Sequence, residues 1–225
     1  MQNDFTIRPA TLNDSDFLVK AILMADRGPS PVSSYSGVFN LSEEEAASKI
    51  KLMLEEELDS CELSPEHFLV AEKDGQIAAA VAGWVEGFDG VASWMVRSAL
   101  FQEYYPKEAL ENAQKLKPVV DEVVVHRTMG ALQLESVFVD PAFRGNRLAT
   151  KLFSAHVENC KKEHPKTEFA ELMTYLENKK AIALYQKLGF DVIKQSKSKN
   201  PNVLNYYPGS GMVLMQIKLE KLLTT

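Results

Sequence analysis

The residues best placed to do chemistry lie in the run VFVDPAFRGNRLATKLF, positions 137–153, where an apolar segment breaks at Asp140 and Pro141 and an amphipathic one begins. Between them stand Arg144, Gly145, Asn146 and Arg147, with Lys151 one turn further on. A helix N-terminus presents unpaired backbone N–H groups and the positive end of the helix dipole, so a strand-to-helix turn of this kind attracts phosphate. Gly145 lets the backbone approach a ligand with no Cβ in the way. Alone, the pattern also suits a purely structural turn. The chain has no G-x-x-x-x-G-K-S/T and no G-x-G-x-x-G near its first strand, which argues against a P-loop nucleotidase and a dinucleotide-binding fold. Cys160 and His164 share a helix face, but without further ligands they make no metal site.

The elements that must position this turn follow from periodicity and punctuation. A short strand at 5–8 leads to a helix capped at Thr11 or Asn13 and ending near Asp26. The Gly-, Pro- and Ser-rich stretch 27–37 is loop, and Ser42 with Glu45 forms a capping box for a helix to about Leu58. Asp74-Gly75 joins strands at 67–72 and 76–86 as a hairpin, overriding the helix preference of the alanines. From about 91 to 127 the pattern is helical, with Pro106 and Pro118 as breakers, and reads as an insertion of one or two helices. Strands at 132–139 and 168–175 alternate with helices at 145–163 and 178–188, the latter ending at Gly189. Strands at 190–194 and 212–219 flank a polar loop.

Arg144-Gly-Asn-Arg-Leu-Ala149 resembles the Q/R-x-x-G-x-G/A signature of the GNAT N-acetyltransferase superfamily, and it follows a strand of the right type. The run from Asn178 through Ala181, Leu184, Tyr185 and Gly189 to Phe190 is similar to a second motif of that family, N-x-x-A-x-x-L-Y-x-K-x-G-F. The resemblance is strong over about 132–193. It implies an α/β (α+β) fold with a mixed, mostly antiparallel sheet of about seven strands flanked by helices. The sheet would splay between the strands that follow Leu132 and Glu168. One departure is Arg147, where the family usually has glycine. A left-handed φ there would make arginine costly; a place in the first helical turn, the expectation here, would let it reach a phosphate.

The resemblance further implies acetyl-CoA as co-substrate and direct attack on its thioester by an amine. Val137, Phe138 and Val139 would hold the pantetheine like an added strand, and 144–149 (Arg144, Gly145, Asn146, Arg147, Leu148 and Ala149) the diphosphate. Asn178, a helix cap, would also contact the CoA arm. Tyr185 matches the tyrosine that protonates the departing thiolate, and Glu135 is the candidate base for the amine, directly or through water; each also has a bland reading as a packed or hydrogen-bonded residue. His126 is a poorer base, with no motif around it. On the acceptor side, the loop 28–37 and the hairpin end 84–89 occupy the places where the family builds its acceptor site; Tyr35, Trp84 and Glu86 there could hold a cationic amine, and each also has a bland reading as a solvated or packed loop residue.

Composition is consistent with this. The 225 residues suit one domain carrying an insertion, and 45% apolar with 25% charged residues is ordinary for a globular chain. A net charge of −6 lends no support to nucleic-acid binding. No stretch has the length of a membrane span and the start lacks a signal-peptide pattern, so a cytoplasmic protein with free thiols at Cys61 and Cys160 is expected. The leading reading is an N-acetyltransferase for a primary amine of a small molecule or peptide. The alternative is a catalytically silent acyl-CoA-binding regulatory module; a dimer face built by the insertion is a further possibility.

Overall fold

The computed structural model describes residues 5–56, 58 and 61–222. Among these residues seven strands form one sheet: β1 (Thr6–Pro9), β2 (Phe68–Lys73), β3 (Gln76–Val85), β4 (Leu132–Val139), β5 (Phe169–Tyr175), β6 (Asp191–Gln195) and β7 (Met212–Lys218). Their spatial order is β1-β2-β3-β4-β5-β7-β6, and every neighbouring pair is antiparallel except β4–β5. The helices are α1 (Ser15–Arg27), α2 (Ser34–Gly37), α3 (Glu43–Leu54), α4 (Ser93–Tyr104), α5 (Lys107–Val123), α6 (Leu148–Glu163), α7 (Lys179–Lys187) and α8 (Leu219–Leu222).

Alternation along the strands sends side chains to two cores. On one face Leu18 and Ile22 of α1, Ile50 of α3, Leu100 of α4 and Val123 of α5 pack with Phe68, Val70, Ala80 and Ala82. On the other, Leu152, Phe153 and Val157 of α6 pack with Ala79, Val81, Leu134, Leu172 and Met215. The β2–β3 turn has positive φ at both Asp74 and Gly75, the conformation that Asp-Gly favours in a two-residue hairpin. Turn chemistry therefore outweighs the alanines, and Ala79 and Ala80, fully buried on opposite faces, let helices close on both sides of the sheet.

Several boundaries differ from expectation. Ser34–Gly37, expected as loop, form the one-turn helix α2, and α1 starts after Asp14 instead of at a Thr11 or Asn13 cap. Helix α3 stops at Leu54 instead of near Leu58. Pro118 lies inside α5 without ending it. A proline removes one N–H and crowds the carbonyl a turn earlier; on this exposed position water can serve that carbonyl. Pro106, by contrast, does separate α4 from α5, as the N-cap of the latter. Finally, the helix after the phosphate-type turn begins at Leu148 and not at Gly145.

The β4–β5 ladder consists of two pairs, Leu132 with Ala170 and Gln133 with Glu171. Beyond them β4 stays on β3 and β5 stays on β7 as far as Tyr175–Met212, so the sheet splays. Glu171 closes the paired end, accepting from Gln133 Nε2 (3.1 Å), Gln216 Nε2 (2.7 Å) and the Thr128 N–H (3.0 Å).

Candidate active site

A bulge in β4 shapes the opening. Ser136 has φ +51°, and the register passes from Ala82–Glu135 to Ala80–Phe138, so Val81 faces two residues. Strict alternation would put Glu135, Val137 and Val139 on one face. With the extra residue, Phe138 joins the α1 core while Val137 and Val139 pack toward α6. Glu135 pairs with Ala82, whose side chain belongs to the α1-side core.

The gap between the strands is a cavity of about 730 Å³, within the roughly 300–1,000 Å³ of small-ligand sites. Residues 134–139 line one wall and 173–175 the other, with Tyr185 of α7, its N-cap Asn178, and Asp26, Tyr35, Glu62, Glu86, Arg97, Arg127 and Tyr207 around the rest.

Glu135 Oε1 accepts from Arg127 Nη2 at 3.2 Å. Burial pushes its pKa up to about 7, with Arg127 restraining the rise. Arg127 also donates to Ser93 Oγ (3.3 Å) and lies over the Trp84 ring at 5.2 Å. Tyr185, 8% exposed, sits beside Phe153 and Phe190 and lines the cavity. Burial, then the Glu135 charge, drives its pKa upward, so the phenol stays protonated.

Asn178 caps α7, its side chain accepting from the Ala181 N–H at 3.3 Å. At the turn, Gly145 has φ +87° and a Cβ there would meet open space. The backbone conformation, more than crowding, demands glycine. Arg147 corrects the expectation of a first-turn residue: it is the N-cap of α6, left-handed at φ +56°, ψ +30°. Glycine would take this conformation without strain; this chain bears the strain of an exposed arginine there.

Of the residues expected to hold a cofactor, Val137, Phe138, Val139, Arg144, Ala149, Asn178 and Tyr185 line the cavity. Gly145, Asn146 and Arg147 form the adjoining turn, and Leu148 is buried in the α6-side core. On the acceptor side, Tyr35 and Glu86 line the cavity and Trp84 does not. Trp84 is 4% exposed, its face covered by Arg127 and its Nε1 donating to Glu86 Oε2 at 3.1 Å, so it cannot cage an amine. His126 lines the cavity from an exposed position. Sequence reasoning missed Asp26, Glu62, Arg97, Arg127 and Tyr207, which come from loops, helix ends and the insertion without a spacing to betray them.

Residues 36–190 match the model of the acetyltransferase (GNAT) family. The chain belongs to that family. An uncharacterized N-acetyltransferase of Methanocaldococcus jannaschii, MJ1207, is 39% identical over 59 residues, 26% of this chain and 25% of its own length. The match thus spans about a quarter of that relative. Among solved structures, an N-acetyltransferase from Staphylococcus aureus Mu50 superposes with TM-score 0.65 at 18% identity, covering 94% of this chain and 100% of that one. An agmatine N-acetyltransferase gives 0.59 at 16%, covering 96% and 100%. The Drosophila melanogaster polyamine N-acetyltransferase gives 0.55 at 14%, again covering 96% and 100%. These likenesses establish the GNAT fold. Among the described residues no helix is long and apolar enough to cross a membrane.

Proposed function

We propose that this protein is an acetyl-CoA-dependent N-acetyltransferase acting on a primary amine of a small molecule or peptide by direct attack. The observation that carries the reading is that Glu135 and Tyr185, a carboxylate of near-neutral pKa and a phenol kept protonated, line one cavity where β4 and β5 part.

The residues fit the co-substrate. Beyond Gln133 the β5-facing edge of β4 has no strand partner among the described residues, which suits added-strand pairing with the pantetheine amides. The turn before α6 offers first-turn N–H groups, the helix dipole and the Arg144 guanidinium to the diphosphate. Bound there, acetyl-CoA supplies the acetyl group as an activated thioester.

An ammonium has no lone pair, so Glu135 in its ionised form takes a proton from the acceptor, directly or through one water. Arg127 holds that carboxylate in place by its hydrogen bond. Tyr185 gives its proton to the sulfur as the C–S bond breaks, and regains one from the nitrogen as the amide forms.

The test is titration calorimetry with acetyl-CoA, followed by thiol release over a panel of amines. Micromolar binding and amine-dependent release are expected. Absence of binding at millimolar acetyl-CoA removes the reading.

A further inference from the structure

Resting on the acetyltransferase reading, the acceptor's chemistry follows from which polar groups in the cavity still have hydrogen-bonding capacity. The acidic groups are largely committed. Asp26 accepts from the Ser34 N–H (2.6 Å), Ser34 Oγ (2.8 Å) and Tyr175 Oη (2.9 Å). Glu86 accepts from Trp84 Nε1 (3.1 Å) and the Ser93 N–H (3.0 Å). Glu62 Oε1 accepts from Tyr35 Oη (3.0 Å) and Arg97 Nη1 (2.7 Å), and its Oε2 is sealed from any ligand. Among the described cavity carboxylates, Glu135, with Oε1 on Arg127, is the one whose second oxygen is neither hydrogen-bonded nor sealed.

The opposite holds for Arg97. It lines the cavity, its side chain is 29% exposed, and its one hydrogen bond to a described residue is to Glu62. A guanidinium carries five N–H donors in a planar fork suited to a carboxylate. Donors left unmatched in a ligand site select a ligand that brings acceptors, because leaving them dry is costly. A plain polycation would offer them nothing.

We propose that the acceptor is a zwitterion, an amine that carries its own carboxylate, with the amine at Glu135 and the carboxylate on the free edge of Arg97. Arg97 is then the residue that distinguishes amino acids from the corresponding simple amines.

The experiment compares CoA release by the full chain with acetyl-CoA and matched pairs: phenylalanine against phenethylamine, 4-aminobutyrate against propylamine, lysine against cadaverine. In at least one pair the carboxylate-bearing member should show at least about tenfold higher kcat/KM. Arg97→Lys keeps the charge beside Glu62 and loses the fork; Arg97→Met with Glu62→Met replaces the pair without stranding a buried charge. Both should bring the ratio toward one, chiefly through KM for the carboxylate-bearing member. A wild-type ratio below tenfold in every pair, or a ratio that both variants leave unchanged, overturns the proposal. Turnover of simple amines alone sinks this inference and leaves the acetyltransferase reading standing; failure to bind acetyl-CoA sinks both.

Discussion

Arg127 Nη2 stands 3.2 Å from Glu135 Oε1, and the next residue, Thr128, donates its N–H to Glu171 Oε2 at 3.0 Å. The cation that steadies the proposed base is thus tied to the carboxylate that ends the β4–β5 ladder. The point where the sheet opens and the proposed point of proton transfer are one connected network.

Glu135 must be ionised to take a proton, and its pKa is raised to about 7 by burial. Activity should therefore rise with pH through about 7 and fall below it as the carboxyl protonates. Glu135→Gln should lose about 10²–10³-fold in kcat/KM and lack this inflection. The acceptor's own titration, common to both enzymes, cancels in the comparison. Superimposable profiles for variant and wild type would remove Glu135 from the mechanism.

Tyr185→Phe deletes only the phenolic oxygen and keeps the packing against Phe153 and Phe190. We expect kcat to fall about 10–100-fold while the Kd for acetyl-CoA, measured by calorimetry, changes less than about threefold. Unchanged turnover would make Tyr185 a packing residue.

Arg147 occupies a left-handed conformation at φ +56°. For a residue with a Cβ this costs about 1–2 kcal/mol, partly offset by the greater chain entropy that glycine loses. Arg147→Gly should leave stability unchanged or raise it by up to about 1 kcal/mol in urea denaturation. A clear loss would mean that the arginine side chain, and not the turn geometry, stabilises this end of α6.

Burial alone would raise the pKa of Glu62, yet the nearby guanidiniums of Arg97 and Arg127 outweigh it and bring the group from 4.5 down to about 2. The folded pKa lies below the unfolded one, so the contribution is complete above 4.5 and is lost as pH falls through about 2. On the order of 3 kcal/mol is at stake. The unfolding free energy of wild type should approach that of Glu62→Gln by about this amount between these limits; parallel curves would contradict the ion pair.

The architecture was legible because its signals are local. Asp74-Gly75 announces its turn, Ser42 with Glu45 its helix start, and Asn178 through Phe190 a cap, a helix and a stop within one short run. The acceptor end was not, because Glu62 and Arg97 lie 35 positions apart and meet only when α4 folds against α3. The bulge at Ser136 was hidden for another reason: serine carries no mark of a positive φ, and plain alternation across it would place Val137 and Phe138 on the wrong faces. Trp84 misled because an exposed-looking aromatic in a strand end gives no hint of the Arg127 side chain that covers it.

The most direct test of the account is mass spectrometry of the products formed from acetyl-CoA and an accepted amine by wild type, Glu135→Gln and Tyr185→Phe. One acetyl group on the amine nitrogen is expected, stoichiometric with CoA released, formed rapidly by wild type and slowly by both variants. Bound acetyl-CoA with no acetylated amine from wild type over a broad panel would contradict it.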